Sequence, residues 1–167
     1  MTGHPTKGPI VKTTRNLAAA IVGIVIVTGA MLVAQATDPL IGTWKLNAAK
    51  SKGSTAKSGT TTVEKDGDGI KLTADMTPAE GPAYRWSVSA KYDGKDNPVT
   101  GNSPYGDVAA IERVDAHTYH ITTKRGGKVV VNQTIAVAAD GKSRTTTTKG
   151  TDAKGQPIDS VVVYEKQ

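Results

Sequence analysis

From Asp38 to Gln167, apolar and polar residues alternate with the period of a β-strand, in short runs broken by turn residues. Leu40, Gly42, Trp44 and Leu46 fall on one face, and Thr43, Lys45 and Asn47 on the other. A glycine two residues before the tryptophan lets the backbone pass close to a neighbour, and the indole then closes the space behind it. After a strand at Thr60–Lys65, the tight turn Asp66-Gly67-Asp68-Gly69 leads into Ile70, Leu72, Ala74 and Met76, alternating with Lys71, Thr73 and Asp75. Tyr84, Trp86, Val88, Ala90 and Tyr92 share the largest aromatic face of the chain, opposite Arg85, Ser87, Ser89 and Lys91. Val108 to Val114 is a further strand, but neither of its faces is clean. Tyr119–Lys124 precedes the hairpin signal Arg125-Gly126-Gly127-Lys128, and Val129, Val131, Gln133, Ile135 and Val137 then line a long strand. The turn Ala139–Lys142 introduces a threonine-rich strand, Ser143–Lys149. Thr151–Asp159 reverses the chain once more before Ser160–Glu165 closes it.

Between these runs, Ala48–Gly59 and Asp93–Gly106 read as long polar loops, and Thr77–Pro82 as a proline-bearing turn. About nine short strands at near-regular spacing, with no helix among them, predict an all-β antiparallel up-and-down meander. Such a meander most simply closes into a barrel of about eight to nine strands, which removes both edges; an open β-sandwich is the alternative.

Composition narrows the picture. There is no cysteine, hence no disulfide, thiol nucleophile or cysteine metal site. Phenylalanine is absent and aromatics make up 4%, which suits a barrel with small inward side chains. The formal charge of +6 includes Lys7, Lys12 and Arg15; without them the 21 basic residues fall to 18 against 15 acidic ones, a net +3. That is an ordinary solvated surface and predicts no nucleic-acid partner.

The N-terminus reads as an address. A basic segment to Asn16 precedes the apolar run Leu17–Val33 and the small-residue site Ala34-Gln35-Ala36, the pattern of a secretory signal peptide over residues 1–36. A retained single-pass anchor is the alternative, since the run of 17 residues falls between the two lengths. Either way the domain at 37–167 is expected outside the cytoplasm, periplasmic or secreted, with membrane contact only through the N-terminal segment.

DPLIGTWKLNAAKSK, YDGKDNPVTGNSPYGD, the turn at Asp140–Lys142 and KGTDAKGQPIDSVVVYEKQ, in this order, resemble a family of small exported bacterial proteins with lipocalin-like domains. The resemblance spans essentially Asp38 to Gln167 and implies a calycin-type barrel behind a signal helix. Lipocalins also place an arginine late in the barrel, packed over the tryptophan; the last strand here, Ser160–Glu165, carries none.

Candidate chemistry is sparse. Asp66-Gly67-Asp68-Gly69 begins like a calcium loop, but Ile70 and Thr77 stand where oxygen ligands belong, so an ordinary turn is the reading. His117 and His120 lack the same-face spacing and third partner of a strand metal site, and no metal is expected. Ser103 has no nucleophile-elbow context. Glu112 shares a face with Val108, Ala110 and Val114, and reads either as an inward carboxylate or as the solvent-facing end of its strand. Lys124, Arg125, Lys128, Lys142 and Arg144 read as solubilising charges near hairpin tips. Asn132-Gln133-Thr134 matches a glycosylation sequon inside a strand, where it carries little. No catalytic constellation emerges, so no enzyme and no cofactor are expected. The expected function is a binding module for a small apolar or amphipathic molecule, in a pocket of Trp44, Leu46, Tyr84, Trp86, Val88, Val131 and Ile135. A packed structural or interaction barrel without a ligand is the alternative.

Overall fold

A computed structural model describes residues 1–3 and 37–167; the expected signal segment otherwise lies outside the described residues. The unit Ala36–Gln167 holds eleven strands in one sheet. They are β1 (Gly42–Lys52), β2 (Ala56–Asp66), β3 (Gly69–Pro78), β4 (Tyr84–Ala90), β5 (Asp93–Pro98), β6 (Thr100–Gly101), β7 (Val108–Arg113), β8 (Thr118–Arg125), β9 (Lys128–Val137), β10 (Ser143–Thr151) and β11 (Pro157–Lys166). Their order is β5-β7-β8-β9-β10-β11-β1-β2-β3-β4-β6, and every paired neighbour is antiparallel.

The two outermost strands, β5 and β6, belong to one segment interrupted at Val99. Its first half pairs with β7 and its second half with β4, so the segment serves both edges and brings them together. Val99 N–H donates to the Asp107 carbonyl at 2.9 Å, and Asn102 N–H donates to the Arg85 carbonyl at 2.8 Å. The result is a near-closed antiparallel barrel.

Both expected loops are therefore largely strand, and the second of them adds β5 and β6, so the count is eleven where eight to nine were expected. Ala48–Gly59 continues β1 and opens β2, because backbone groups there find partners in β11 and β3 whatever their side chains. The register shifts between Asn47 and Lys52, and the Ser51 hydroxyl bridges the irregularity. It donates to the Asn47 carbonyl at 2.7 Å and accepts Val163 N–H at 3.0 Å. Asp93–Gly106, dense in glycine and proline, contains the closing segment. A strand with both faces wet has no apolar alternation to announce it.

Inside lie Leu40, Trp44, Leu46, Val63, Ile70, Leu72, Val88, Ala109, Ile111, Tyr119, Ile121, Ile135 and Val137, all buried in one cluster. On β7, Ala109 and Ile111 face inward, so Glu112 points outward and is exposed; of its two readings the solvent-facing one holds and the inward carboxylate does not. The Trp44 end is shut by Asp38–Leu40, the residues that lead into β1. Trp44 is fully buried, and its Nε1–H donates to the Leu40 carbonyl at 2.8 Å. The Asp38 carboxylate accepts from Leu40 N–H at 3.0 Å, from the Tyr119 hydroxyl at 2.5 Å and from the Tyr92 hydroxyl.

Gly42 shows why a glycine precedes the tryptophan. Its φ is 138°, and a Cβ there would fall 2.6 Å from Lys166 Cε. Lys166 lies across that gap, with its ammonium 5.0 Å from the Trp44 ring centroid and 3.2 Å from the Pro39 carbonyl. The last strand thus runs one residue beyond Glu165 and does carry a cation over the tryptophan, a lysine.

Candidate functional site

A second cation over Trp44 comes from inside the barrel. Arg144 sits on β10 opposite Val137 of β9 and Tyr164 of β11. All three face the interior, and Arg144 is only 3% exposed. Its guanidinium carbon lies 5.1 Å from the Trp44 ring centroid and 4.7 Å from that of Tyr164. Burial lowers its pKa to about 10, with Tyr164 opposing the shift, so it stays charged at neutral pH. Among the described residues Nε and Nη1 find no acceptor though buried, and Thr146 Oγ1, next on the same face, is buried without a partner. Among the described residues no acidic side chain pairs with Arg144. Its reading as a solubilising charge is wrong: inward neighbours on both adjacent strands bury it.

Above Arg144 the interior holds a cavity of about 50 Å³. The β3–β4 side is apolar, with Leu72, Ala74, Met76 and Trp86, and Thr61 of β2 stands beside it; the β9–β11 side is mostly polar, with Gln133, Arg144, Thr146 and Tyr164 around Ile135. Tyr84 and Tyr105 stand among the same lining residues. Burial pushes both phenols above the ordinary tyrosine range. It does the same to Tyr164, where the Arg144 charge opposes the shift. Gln133 donates to Thr148 Oγ1 at 3.1 Å and is already engaged.

Tyr105 is held by a second misread cation. Arg125 donates from Nη1 to the Asp152 carbonyl at 3.0 Å, and from Nη2 to the Pro104 carbonyl at 3.0 Å and to that of Tyr105. It pins the Asn102–Asp107 connection to the turn after β10 and is not a free surface charge.

Of the seven residues expected to form a pocket, the cavity brings together Tyr84, Trp86 and Ile135. Trp44 lies beneath Arg144, while Leu46, Val88 and Val131 are buried elsewhere in the barrel and do not line the space. Arg144, Thr146, Gln133, Tyr105 and Tyr164 were missed. His120 is exposed, and no group of three metal-ligating side chains forms among the described residues. A larger open groove of about 440 Å³ crosses β1 to β4, but its Asp75–Arg85 pair, 3.2 Å apart, is solvated and mutually satisfied.

No family model matches this chain, and no curated protein does. Among solved structures it is similar to the zebrafish ileal bile acid-binding protein complexed with cholic acid. Identity is 11% and the TM-score 0.47, over 77% of this chain and 99% of that one. The barrel described above rests on strand pairing alone.

Proposed function

We propose that this chain is an exported, calycin-like binding module, not an enzyme, and that its barrel interior takes a small amphipathic molecule. One observation carries the reading: the interior cavity has an apolar wall facing a polar one, with a cation at its base. A barrel filled only to support itself gains nothing from a buried charge, which costs more than an apolar side chain of similar volume. Export is supported by the basic segment, apolar run and Ala34-Gln35-Ala36 site; the intact mass of protein from its own host should begin at Thr37.

The test is native mass spectrometry of host-derived protein, followed by titration with apolar and amphipathic compounds, read by Trp emission and thermal midpoint. A co-purified small molecule, or a rise in midpoint with saturation, supports the module. The cavity's modest size favours the second reading, a packed structural or interaction barrel. A folded protein that responds to none of the compounds and carries nothing from its host would establish that one instead.

A further inference from the structure

We infer that the molecule taken by this barrel is a compact carboxylate, and that Arg144 receives its head; the inference rests on the binding-module reading above. A buried guanidinium needs acceptors for its N–H groups, and leaving them unmade is costly. The faces of Trp44 and Tyr164 offset part of its positive charge, but they do not replace those acceptors. Among the described residues no acidic side chain lines the cavity or supplies a counter-charge. What is missing around Arg144 is therefore an anion with lone pairs.

The geometry narrows the anion. A planar, two-oxygen head matches the planar fork of a guanidinium through two parallel hydrogen bonds. Thr146 Oγ1, orphaned one inward position further along β10, can donate to one of those oxygens. With the Arg144 cation at the base, a monoanion is balanced, whereas a phosphate dianion would leave excess charge inside the barrel. Size is limiting as well. A cavity of about 50 Å³ holds a head group and little more. A short chain, or a ring lying between Met76, Tyr84 and Tyr105, is what the remaining space suits; a long acyl chain needs Tyr105 to move aside.

The experiment compares matched pairs on the purified protein: acetate, butyrate and benzoate against acetamide, butyramide and benzamide, with chloride and inorganic phosphate as further arms. Two readouts are followed, the Arg144 Nε–H resonance, assigned by its loss in Arg144→Met, and the thermal midpoint. Carboxylates are expected to shift the resonance and to bind at least tenfold more tightly than their amides, a preference that Arg144→Met abolishes. Equal binding of acids and amides, unaffected by Arg144→Met, would leave the barrel a binding module and overturn the assignment to Arg144. Preference for phosphate or chloride over every carboxylate would overturn the head-group class. If no compound binds the folded protein, the binding-module reading fails first and this inference with it. Should Arg144→Met not fold, the wild-type preference and its loss in Arg144→Lys, which keeps charge but not the fork, decide the question.

Discussion

Replacing Arg144 by methionine should make the ligand-free protein more stable, the reverse of the usual outcome for a fully buried side chain. The arginine is 3% exposed, is charged at neutral pH, and has two nitrogens without acceptors. Burying an ion in a protein costs several kcal/mol even after relaxation, and each unmade hydrogen bond adds to that cost. Against this stand two aromatic faces, each offsetting about 1–2 kcal/mol in a desolvated setting. Methionine keeps most of the apolar stem, bends to fill an irregular space and buries no charge. The net expectation is a gain of about 1–3 kcal/mol, in line with buried charges replaced by apolar side chains elsewhere. With a urea dependence of about 1–3 kcal/mol per molar, the unfolding midpoint should rise by about 1 M. The assay is urea denaturation followed by far-ultraviolet circular dichroism, in buffer free of carboxylates. A loss of more than about 1 kcal/mol would refute the reasoning, since it would mean that the guanidinium is fully satisfied in solution and holds the barrel together.

Trp44→Ala removes a fully buried indole, strands the Leu40 carbonyl and uncovers two cations, so it should cost at least about 3–5 kcal/mol. Denaturant unfolding checks it, and a loss below about 1 kcal/mol would show that the closed end tolerates an open floor. Gly101→Val places a β-branched residue at φ +86°, with its Cβ 2.4 Å from the Arg85 carbonyl oxygen, and should release the closing segment. Limited proteolysis should then cut within 93–107 sooner than in wild type; an unchanged pattern would mean that the β6–β4 pairing is dispensable. All five tyrosines have pKa values raised above the ordinary range, with burial the leading cause in each. A phenol held neutral by the fold contributes stability that is fully present below the unfolded value of about 10 and is lost as pH rises beyond it. Arg144, lowered to about 10, works in the opposite direction above that pH, as one group against five. Stability should therefore fall steeply above about pH 10, with tyrosinate absorbance appearing together with unfolding; gradual ionisation of the folded protein would contradict the burial of these rings.

How much of this was legible depended on which side chains announce a strand. β3 and β4 could be read because Ile70, Leu72, Ala74 and Met76, then Tyr84, Trp86, Val88 and Ala90, alternate cleanly against polar partners. β5 could not. Its residues Asp93–Pro98 are polar, and it exists because two sheet edges needed a partner, a demand set by the whole fold and not by its own composition. Glu112 stayed open between two readings because Val108 and Ala110 suggested an inward face; Ile111, the largest apolar residue nearby, settles on the inside and turns its neighbour out, as the solvent-facing reading has it.

Arg144 is the instructive failure. Ser143–Lys149 is polar on both faces, so alternation within the strand says nothing about which side is inside. The neighbours say it. On β9, Ile135 and Val137 mark the inward face, and the short turn through Ala139-Asp140-Gly141-Lys142 fixes which residues of β10 lie opposite them. Continuing the pairing from Val137 sets Arg144 opposite it and Thr146 opposite Ile135, and the inward tyrosine of β11, Tyr164, falls beside Arg144 in turn. A one-residue slip would have put Thr145 and Thr147 inside and left the arginine in water. The buried charge follows from hairpin register, and register was the one quantity that a strand-by-strand reading left out.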